Sequence, residues 1–140
     1  MKRDGTCQVV KHPLPARHFV GTADYAMLLD TVDDQVTLLM GHTRWPTRGS
    51  ECNPLNNHPL VAGQTLTTHN GHLHGVDAWF RRWGLPRHAQ VDSELLAQLA
   101  NRHAGETGID LTALCENLRH LEGRLSAVLV ARPNQVLSFC

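Results

Sequence analysis

Apolar side chains recur at helical spacing in three segments of the second half of the chain. The segments are residues 76–83, 92–103 and 110–121, and Gly84 and Asp110 mark a helix end and a helix N-cap. On the last two segments the apolar stripe consists mainly of leucines: Leu95, Leu96, Leu99, Leu111, Leu114, Leu118 and Leu121. We expect these two helices to pack on a β-sheet through their leucines.

Short runs of β-type residues predict strands towards both ends of the chain. The runs are residues 8–10, 36–40, 66–68, 125–131 and 136–139. Pro133-Asn134 lies between the last two and predicts a hairpin, whereas residues 24–29 have helical character. Residues 46–59, rich in proline, glycine and asparagine, predict a long ordered loop. This order of elements indicates one α+β domain over residues 1–140.

The composition is that of a globular protein without a charged partner. Hydrophobic residues make up 41% of the chain, and 13 basic side chains balance 13 acidic ones. This balance does not favour nucleic acid or an anionic membrane as a partner. No signal peptide and no apolar run of about 18 residues occurs. The four cysteines are scattered without a CxxC pair, so we expect free thiols and a cytoplasmic location.

Arg44 is the first candidate for ligand binding. It stands in a loop bounded by Gly41 and Gly49, directly after a predicted strand. Arginine can hold a carboxylate through two parallel N–H bonds, which lysine cannot. The alternative is a surface arginine in an ordinary ion pair, which is the commoner role of an isolated arginine.

Asn70-Gly71 and Asp92 are further candidates, and each has a structural alternative. An asparagine amide beside a glycine N–H is a donor pair that can stabilise a tetrahedral oxyanion, but Asn-Gly is also the strongest short signal for a hairpin turn. A carboxylate at Asp92 could pair with a ligand ammonium group. The same residue precedes a predicted helix and could cap it instead.

Three nearby histidines raise the question of a metal site. His69, His72 and His74 could supply ligands if the chain folded back on itself. Gly71 and Gly75 favour turns rather than one rigid face, and no acidic ligand is close in sequence. We therefore predict no metal ion and no other cofactor.

Taken together, these segments resemble the class II glutamine amidotransferase family, whose glutaminase domain uses an N-terminal nucleophile. Residues 42–47 read His-Thr-Arg-Trp-Pro-Thr where the family has His-Thr-Arg-Trp-Ala-Thr. Residues 56–59 (Asn-Asn-His-Pro), 68–71 (Thr-His-Asn-Gly) and 92–94 (Asp-Ser-Glu) are similar to three further family motifs in the same order. Leu121-Glu122-Gly123 also fits the family pattern, and the resemblance covers about residues 36–131.

The resemblance implies a role for each candidate residue. Arg44, with help from Thr47, would bind the α-carboxylate of L-glutamine, and Asp92 would bind its α-ammonium group. Trp45 would belong to a loop that closes over the substrate. Asn70 and the Gly71 N–H would form the oxyanion hole.

Two departures from the family pattern qualify these expectations. Arg48 stands where the family commonly has a histidine. The family begins Met-Cys-Gly-Ile and uses that cysteine as nucleophile with its own α-amine as base, whereas this sequence begins Met-Lys-Arg. Cys7 is internal and its surroundings do not match. The implied fold, the αββα sandwich of N-terminal-nucleophile enzymes, is thus expected to be truncated at both ends.

Three functions remain open from the sequence. The first is a glutamine amidotransferase domain, given as a fragment or from a misplaced start, whose glutaminase activity is absent from the chain as written. The second is a degenerate member that binds an amino acid or a partner without catalysis. The third is an unrelated metal-dependent or structural α+β domain. Expected partners are L-glutamine, a synthase domain or subunit that receives ammonia, and a further copy of the chain.

Overall fold

The computed structural model describes residues 1–131 and 135–140. Its helices are α1 (Ala16–Phe19), α2 (Ala23–Asp30), α3 (Val76–Trp83), α4 (Glu94–Arg102) and α5 (Leu111–Leu118), with a 3-10 turn at Pro54–Asn56. Its strands are β1 (Leu60–Ala62), β2 (Thr65–His74), β3 (Ala104–Gly105), β4 (Gly108–Ile109), β5 (Glu122–Ala131) and β6 (Gln135–Phe139). The main sheet is antiparallel in the order β1-β2-β5-β6, and β3 and β4 form a separate two-stranded ribbon. The predicted α+β class is confirmed.

The core lies between one face of the main sheet and the helices α3, α4 and α5. The predicted leucines of α4 and α5 provide much of it, since Leu95 and Leu99 are 0% exposed and Leu114 is 2% exposed. They pack with Leu73 of β2 and Leu129 of β5. Burying one such side chain stabilises a fold by about 1.5–3 kcal/mol. The prediction that leucines hold these helices on the sheet is therefore confirmed for Leu95, Leu99 and Leu114. Leu111 of the predicted stripe is 46% exposed and does not join the core.

Two helix boundaries were also predicted correctly. The Asp110 carboxylate accepts a 3.1 Å hydrogen bond from the Ala113 N–H and so caps α5. Gly84 follows α3 with φ +59°, and its N–H bonds to Arg81 and Phe80 carbonyls. Glycine suits this left-handed position because it has no Cβ.

Strand β2 is longer than predicted. It continues through Asn70 and Gly71 to His74, with Asn70 opposite Ser126 and Gly71 opposite Leu125 of β5. Asn70-Gly71 is therefore not a hairpin turn, and the expected strand end at His69 is wrong. The hairpin between β5 and β6 is confirmed by the pairing of Ala131 with Gln135, while the Pro133-Asn134 turn lies outside the described residues.

The predicted strands at 8–10 and 36–40 are wrong. Residues 36–40 are alternately half-buried and exposed, but within the described chain their only ladder contact is an isolated bridge between Lys2 and Val36. A β-strand needs a neighbouring strand for its backbone hydrogen bonds, and a β-type side-chain pattern does not supply one. Both segments instead line a cavity of about 350 Å³ against the other face of the sheet, where Leu66 and Val130 lie.

Within residues 1–131 and 135–140, no helix is long and apolar enough to cross a bilayer.

Candidate functional site

A cleft of about 130 Å³ opens where the middle of β2, the loop after residue 41 and the start of α4 meet. Its lining contains all six residues to which the resemblance assigns a role, and five others. The lining residues are His42, Arg44, Trp45, Thr47, His58, His69, Asn70, Gly71, Val91, Asp92 and Ser93. Residues 42–47 and residues 91–93 thus converge with the middle of β2 on one small polar site.

Arg44 is half-buried and organises its own loop. Its Nη1 donates to Asn57 Oδ1 at 3.3 Å, and its Nη2 donates to the Gly49 carbonyl at 3.1 Å and also to the Arg48 carbonyl. A guanidinium can hold a carboxylate through two parallel N–H bonds either from Nη1 and Nη2 or from Nε and Nη2, and both arrangements need Nη2. The predicted two-bond grip on a carboxylate is therefore not open in this conformation. The positive charge, the Nε–H and a second Nη1–H remain for a ligand.

The 46–59 loop is held by two buried asparagines from the second motif. Asn56 Nδ2 donates to the Ser50 carbonyl at 2.9 Å, and its Oδ1 accepts from the Gln90 N–H at 2.8 Å. Asn57 Nδ2 donates to the Glu51 carbonyl at 2.7 Å. These bonds satisfy buried amides and fix the loop backbone at Ser50 and Glu51.

Arg48, which departs from the family pattern, makes an ion pair instead of lining the cleft. Its Nη2 lies 3.1 Å from an Asp77 carboxylate oxygen, and Arg87 contacts the other oxygen. The Arg48 side chain thus ties the loop to α3. The Trp45 side chain beside it is 88% exposed.

Asp92 is 4% exposed, and its carboxylate is bound mainly by backbone. Oδ2 accepts the Leu73 N–H at 2.7 Å, and Oδ1 accepts the Ser93 N–H at 3.0 Å. The His72 ring nitrogen Nδ1 lies 3.5 Å from Oδ2. Asp92 does not cap α4 with its side chain, because Ser93 occupies the N-cap position. The carboxylate joins β2 to the start of α4 at the edge of the cleft.

Gly71 permits a close approach that no other residue could make. It has φ +140°, and a Cβ placed there would lie 2.0 Å from the Arg124 carbonyl oxygen and 2.8 Å from His69 Nε2. The glycine of the Asn-Gly pair is thus required by strand geometry.

His69 connects the sheet to α4 beneath the cleft. Its Nδ1 lies 2.9 Å from Ser93 Oγ, and its Nε2 lies 3.2 Å from the Arg124 carbonyl. A carbonyl can only accept, so in the neutral ring the proton on Nε2 faces Arg124 and Nδ1 can accept from the serine hydroxyl. Both side chains are 4% exposed.

Two further histidines at the cleft, His42 and His58, were not predicted as part of the site. His42 Nε2 lies 3.1 Å from Asn70 Oδ1. The rings of His42 and His58 are nearly perpendicular, at 85° with centroids 4.2 Å apart. His58 Nδ1 lies at nearly equal distances, 3.1 and 3.3 Å, from the two nitrogens of His42, so it stands over the face of that ring. His42 and His58 belong to the motifs at residues 42–47 and 56–59, and this was the sequence signal that could have identified them as site residues.

The electrostatic surroundings keep His58 neutral. Burial, aided by the neighbouring charges of His42, His69, Arg44 and Lys11, lowers the pKa of His58 to about 3. Burial also lowers the pKa of His42, although the hydrogen bond to Asn70 opposes this change. His58 Nε2 is buried and has no hydrogen-bond partner among the described residues.

The histidines of β2 do not converge. His69 lies on the helix-covered face of the strand, whereas the even-numbered His72 and His74 lie on the opposite face, with ring centroids 4.9 Å apart. In the part of the chain that the structure describes, no group of three or more His, Cys, Asp or Glu could hold a metal ion.

Sequence comparison finds relatives among the curated proteins. No protein-family profile matches the chain. A glutamine–fructose-6-phosphate aminotransferase (isomerizing) from Xanthomonas campestris pv. campestris is 29% identical over 107 residues, which are 74% of this chain and 17% of that protein. The corresponding proteins of Arabidopsis thaliana and Chlamydia pneumoniae are 29% and 25% identical over 71% and 97% of this chain and 17% and 23% of their own lengths.

These similarities cover a small part of each relative. The chain spans about a fifth of the length of the curated relatives it matches. The identities are modest, but the relatives come from bacteria and a plant and carry the same name. The chain is therefore a homologue of part of the glutamine–fructose-6-phosphate aminotransferases, and its predicted resemblance to the class II glutamine amidotransferase family is confirmed.

Proposed function

We propose that the chain is a class II glutamine amidotransferase domain whose cleft binds L-glutamine. The observation that carries this proposal is the presence of Arg44 and Asp92 in the lining of one small cleft, together with Asn70 and Gly71. An α-amino acid needs a cationic and an anionic partner for its two charged ends, and a side-chain amide needs a hydrogen-bond donor for its carbonyl oxygen. The cleft contains a cationic residue, an anionic residue and hydrogen-bond donors.

The α-carboxylate would lie against Arg44 and Thr47. Because Nη2 of Arg44 is occupied by the Arg48 and Gly49 carbonyls, the ligand would receive the arginine charge and a single N–H rather than a two-bond grip. Trp45, now exposed, would close over the bound ligand. The α-ammonium group would pair with Asp92, whose oxygens each keep a lone pair beyond the backbone bonds they accept.

In a complete domain of this family, the bound glutamine would lose its side-chain amide as ammonia, with Asn70 and the Gly71 N–H stabilising the oxyanion. A fused synthase domain or a separate subunit would receive that ammonia, because the relatives are named as aminotransferases and are much longer than this chain. The main sheet would be one of the two sheets of the αββα sandwich. Its other face, with Leu66 and Val130, would be the side on which a second sheet packs.

The alternative is a non-catalytic domain that binds an amino acid or a partner. One observation favours it: among the described residues that line the cleft, none is a cysteine. Cys7 lines the apolar cavity on the other side of His42 and His58.

Calorimetric titration of the protein with L-glutamine tests the binding proposal. A second ligand, 4-aminobutyramide, has the same chain without the α-carboxylate. We expect the wild type to prefer glutamine, and Arg44→Lys to reduce this preference by about tenfold, since lysine cannot satisfy the loop carbonyls and a carboxylate together. Arg81→Lys, on an exposed residue of α3, is the matched control and should change neither affinity.

The ratio of the affinities for glutamine and 4-aminobutyramide shows whether Arg44 contacts the ligand or only maintains the loop. If Arg44→Lys weakens both ligands equally, Arg44 only shapes the loop and does not bind the carboxylate. If the wild type binds neither ligand, the non-catalytic alternative with another ligand replaces the proposal.

A further inference from the structure

The Asn70 carboxamide could face the cleft in two ways that differ in chemistry. With its NH2 group towards the cleft, Asn70 donates a hydrogen bond to a ligand oxygen. With its oxygen towards the cleft, it would repel a carbonyl or an oxyanion. A neighbouring group that binds the other end of the amide must therefore select one of the two orientations.

His42 is that neighbour. Its Nε2 lies 3.1 Å from Asn70 Oδ1, within hydrogen-bond distance. If Nε2 carries the ring proton, it donates to Oδ1 and the NH2 group is left for the cleft. If the proton is on Nδ1 instead, the bare Nε2 accepts from the NH2 group, and the amide is reversed.

His58 holds the His42 ring in the position this contact needs. Its Nδ1 stands over the His42 ring face, and an N–H directed at a neutral aromatic face is a weakly favourable contact. Its other nitrogen, Nε2, is buried and has no partner among the described residues. Because a buried N–H without a partner is rarer in proteins than an unpaired acceptor, the proton of neutral His58 belongs on Nδ1.

We propose that His42 is a positioning residue, supported edge-to-face by His58, whose Nε2–H fixes the Asn70 carboxamide with its NH2 group presented to the cleft. This inference rests on the proposed function for the identity of the ligand, but the protonation state of His42 can be measured without any ligand.

The first experiment is long-range 1H–15N NMR on the free, histidine-labelled protein, which reports which ring nitrogen carries a proton. A proton on His42 Nε2 supports the proposal, and a bare Nε2 overturns it. This result is decisive even if glutamine does not bind, so failure of the proposed function and failure of this inference are distinguishable.

The second experiment measures affinities for L-glutamine and L-norvaline, an amino acid that lacks the side-chain amide. We expect His42→Phe to reduce the preference for glutamine over norvaline by about 3- to 10-fold, which corresponds to one hydrogen bond. His42→Gln places an N–H near the position of Nε2 and should restore the preference. Asn70→Ala should reduce the preference for glutamine over norvaline as much as His42→Phe does, and the double variant should reduce this preference no further.

A purely structural role for His42 predicts a different pattern. In that case His42→Phe lowers both affinities together and leaves their ratio unchanged, which would overturn the proposal. The exposed His88 provides the control, because His88→Phe should leave the ratio as in the wild type.

Discussion

At the scale of single residues, the cleft tolerates least change at Gly71. Its backbone has φ +140°, which side-chain-bearing residues rarely adopt, and the Arg124 carbonyl occupies the place of a Cβ. The strand pairing between β2 and β5 brings that carbonyl close, and the same pairing places the neighbouring Asn70 at the cleft. The pairing of β2 with β5 thus forms the centre of the sheet and also positions Asn70 and Gly71 in the cleft.

We expect Gly71→Ala to lower the free energy of unfolding by about 3 kcal/mol or more, since it adds both a backbone clash and an unfavourable φ. Urea denaturation measures this loss. Gly41→Ala is the matched control, because a Cβ at Gly41 meets nothing within 4 Å, and its effect should stay within about 0.5 kcal/mol. Equal effects of the two substitutions would contradict this account of Gly71.

His58 should lower the free energy of unfolding as the pH falls. Its pKa is about 3 in the folded protein, whereas an unperturbed histidine has a pKa of about 6.5, so below pH 6.5 the unfolded chain binds a proton that the folded chain does not. Stability therefore falls as the pH drops from about 6.5 towards 3, by up to about 1.4 kcal/mol per pH unit from this group.

Denaturant unfolding at pH 7.5 and pH 5 should show this loss in the wild type and a smaller one in His58→Gln. His88→Gln should keep the wild-type dependence. A His58→Gln protein with an undiminished pH dependence would show that His58 is not the group responsible.

The sequence could identify Arg44, Asp92 and Asn70-Gly71 because each belongs to a short local motif. It could not show what else these side chains bind, because the partners are distant in sequence: Asn57 for Arg44 is 13 residues away, and Leu73 for Asp92 is 19. The contact of His42 with Asn70 spans 28 residues and was missed for the same reason.

At the scale of elements, α4 connects the site to the core. Its first residue follows Ser93, which hydrogen-bonds His69, and its leucines fill the space above the sheet. The helices were predictable because a 3.6-residue leucine stripe and a capping aspartate are local signals. The strands at 8–10 and 36–40 were not, since a strand depends on a partner elsewhere in the chain.

Leu99→Ala should lower the free energy of unfolding by about 2–5 kcal/mol, because Leu99 is 0% exposed and its removal leaves a cavity. Leu111→Ala makes the same chemical change at a residue that is 46% exposed and should cost much less. Thermal or chemical unfolding of both variants tests the packing. A Leu99→Ala protein as stable as Leu111→Ala would mean that α4 does not pack on the sheet as described.

At the scale of the whole molecule, the two faces of the main sheet are covered differently. Helices α3 to α5 bury one face, whereas residues near the N-terminus enclose a cavity of about 350 Å³ on the other. Among the described residues of α1 and α2, none is buried. The cavity and the polar cleft share His42 and His58 as a common wall.

Cys7 lies on the cavity side of that wall, so we expect no thiol attack on a ligand in the cleft. Loss of a nucleophile typically costs about a millionfold in turnover. Ammonia release from L-glutamine should therefore be negligible in this 140-residue protein and identical in Cys7→Ala. Robust turnover that Cys7→Ala abolishes would make Cys7 the nucleophile and contradict this assignment.

The central claim is that the cleft between Arg44 and Asp92 binds L-glutamine. Its most direct test is a 1H–15N NMR titration of the protein with L-glutamine, with D-glutamine as control. We predict saturable shifts of the amides of Asn70, Gly71, Asp92 and Ser93 with the L-enantiomer alone. An absence of saturable shifts at these residues, or equal shifts with both enantiomers, would contradict the claim.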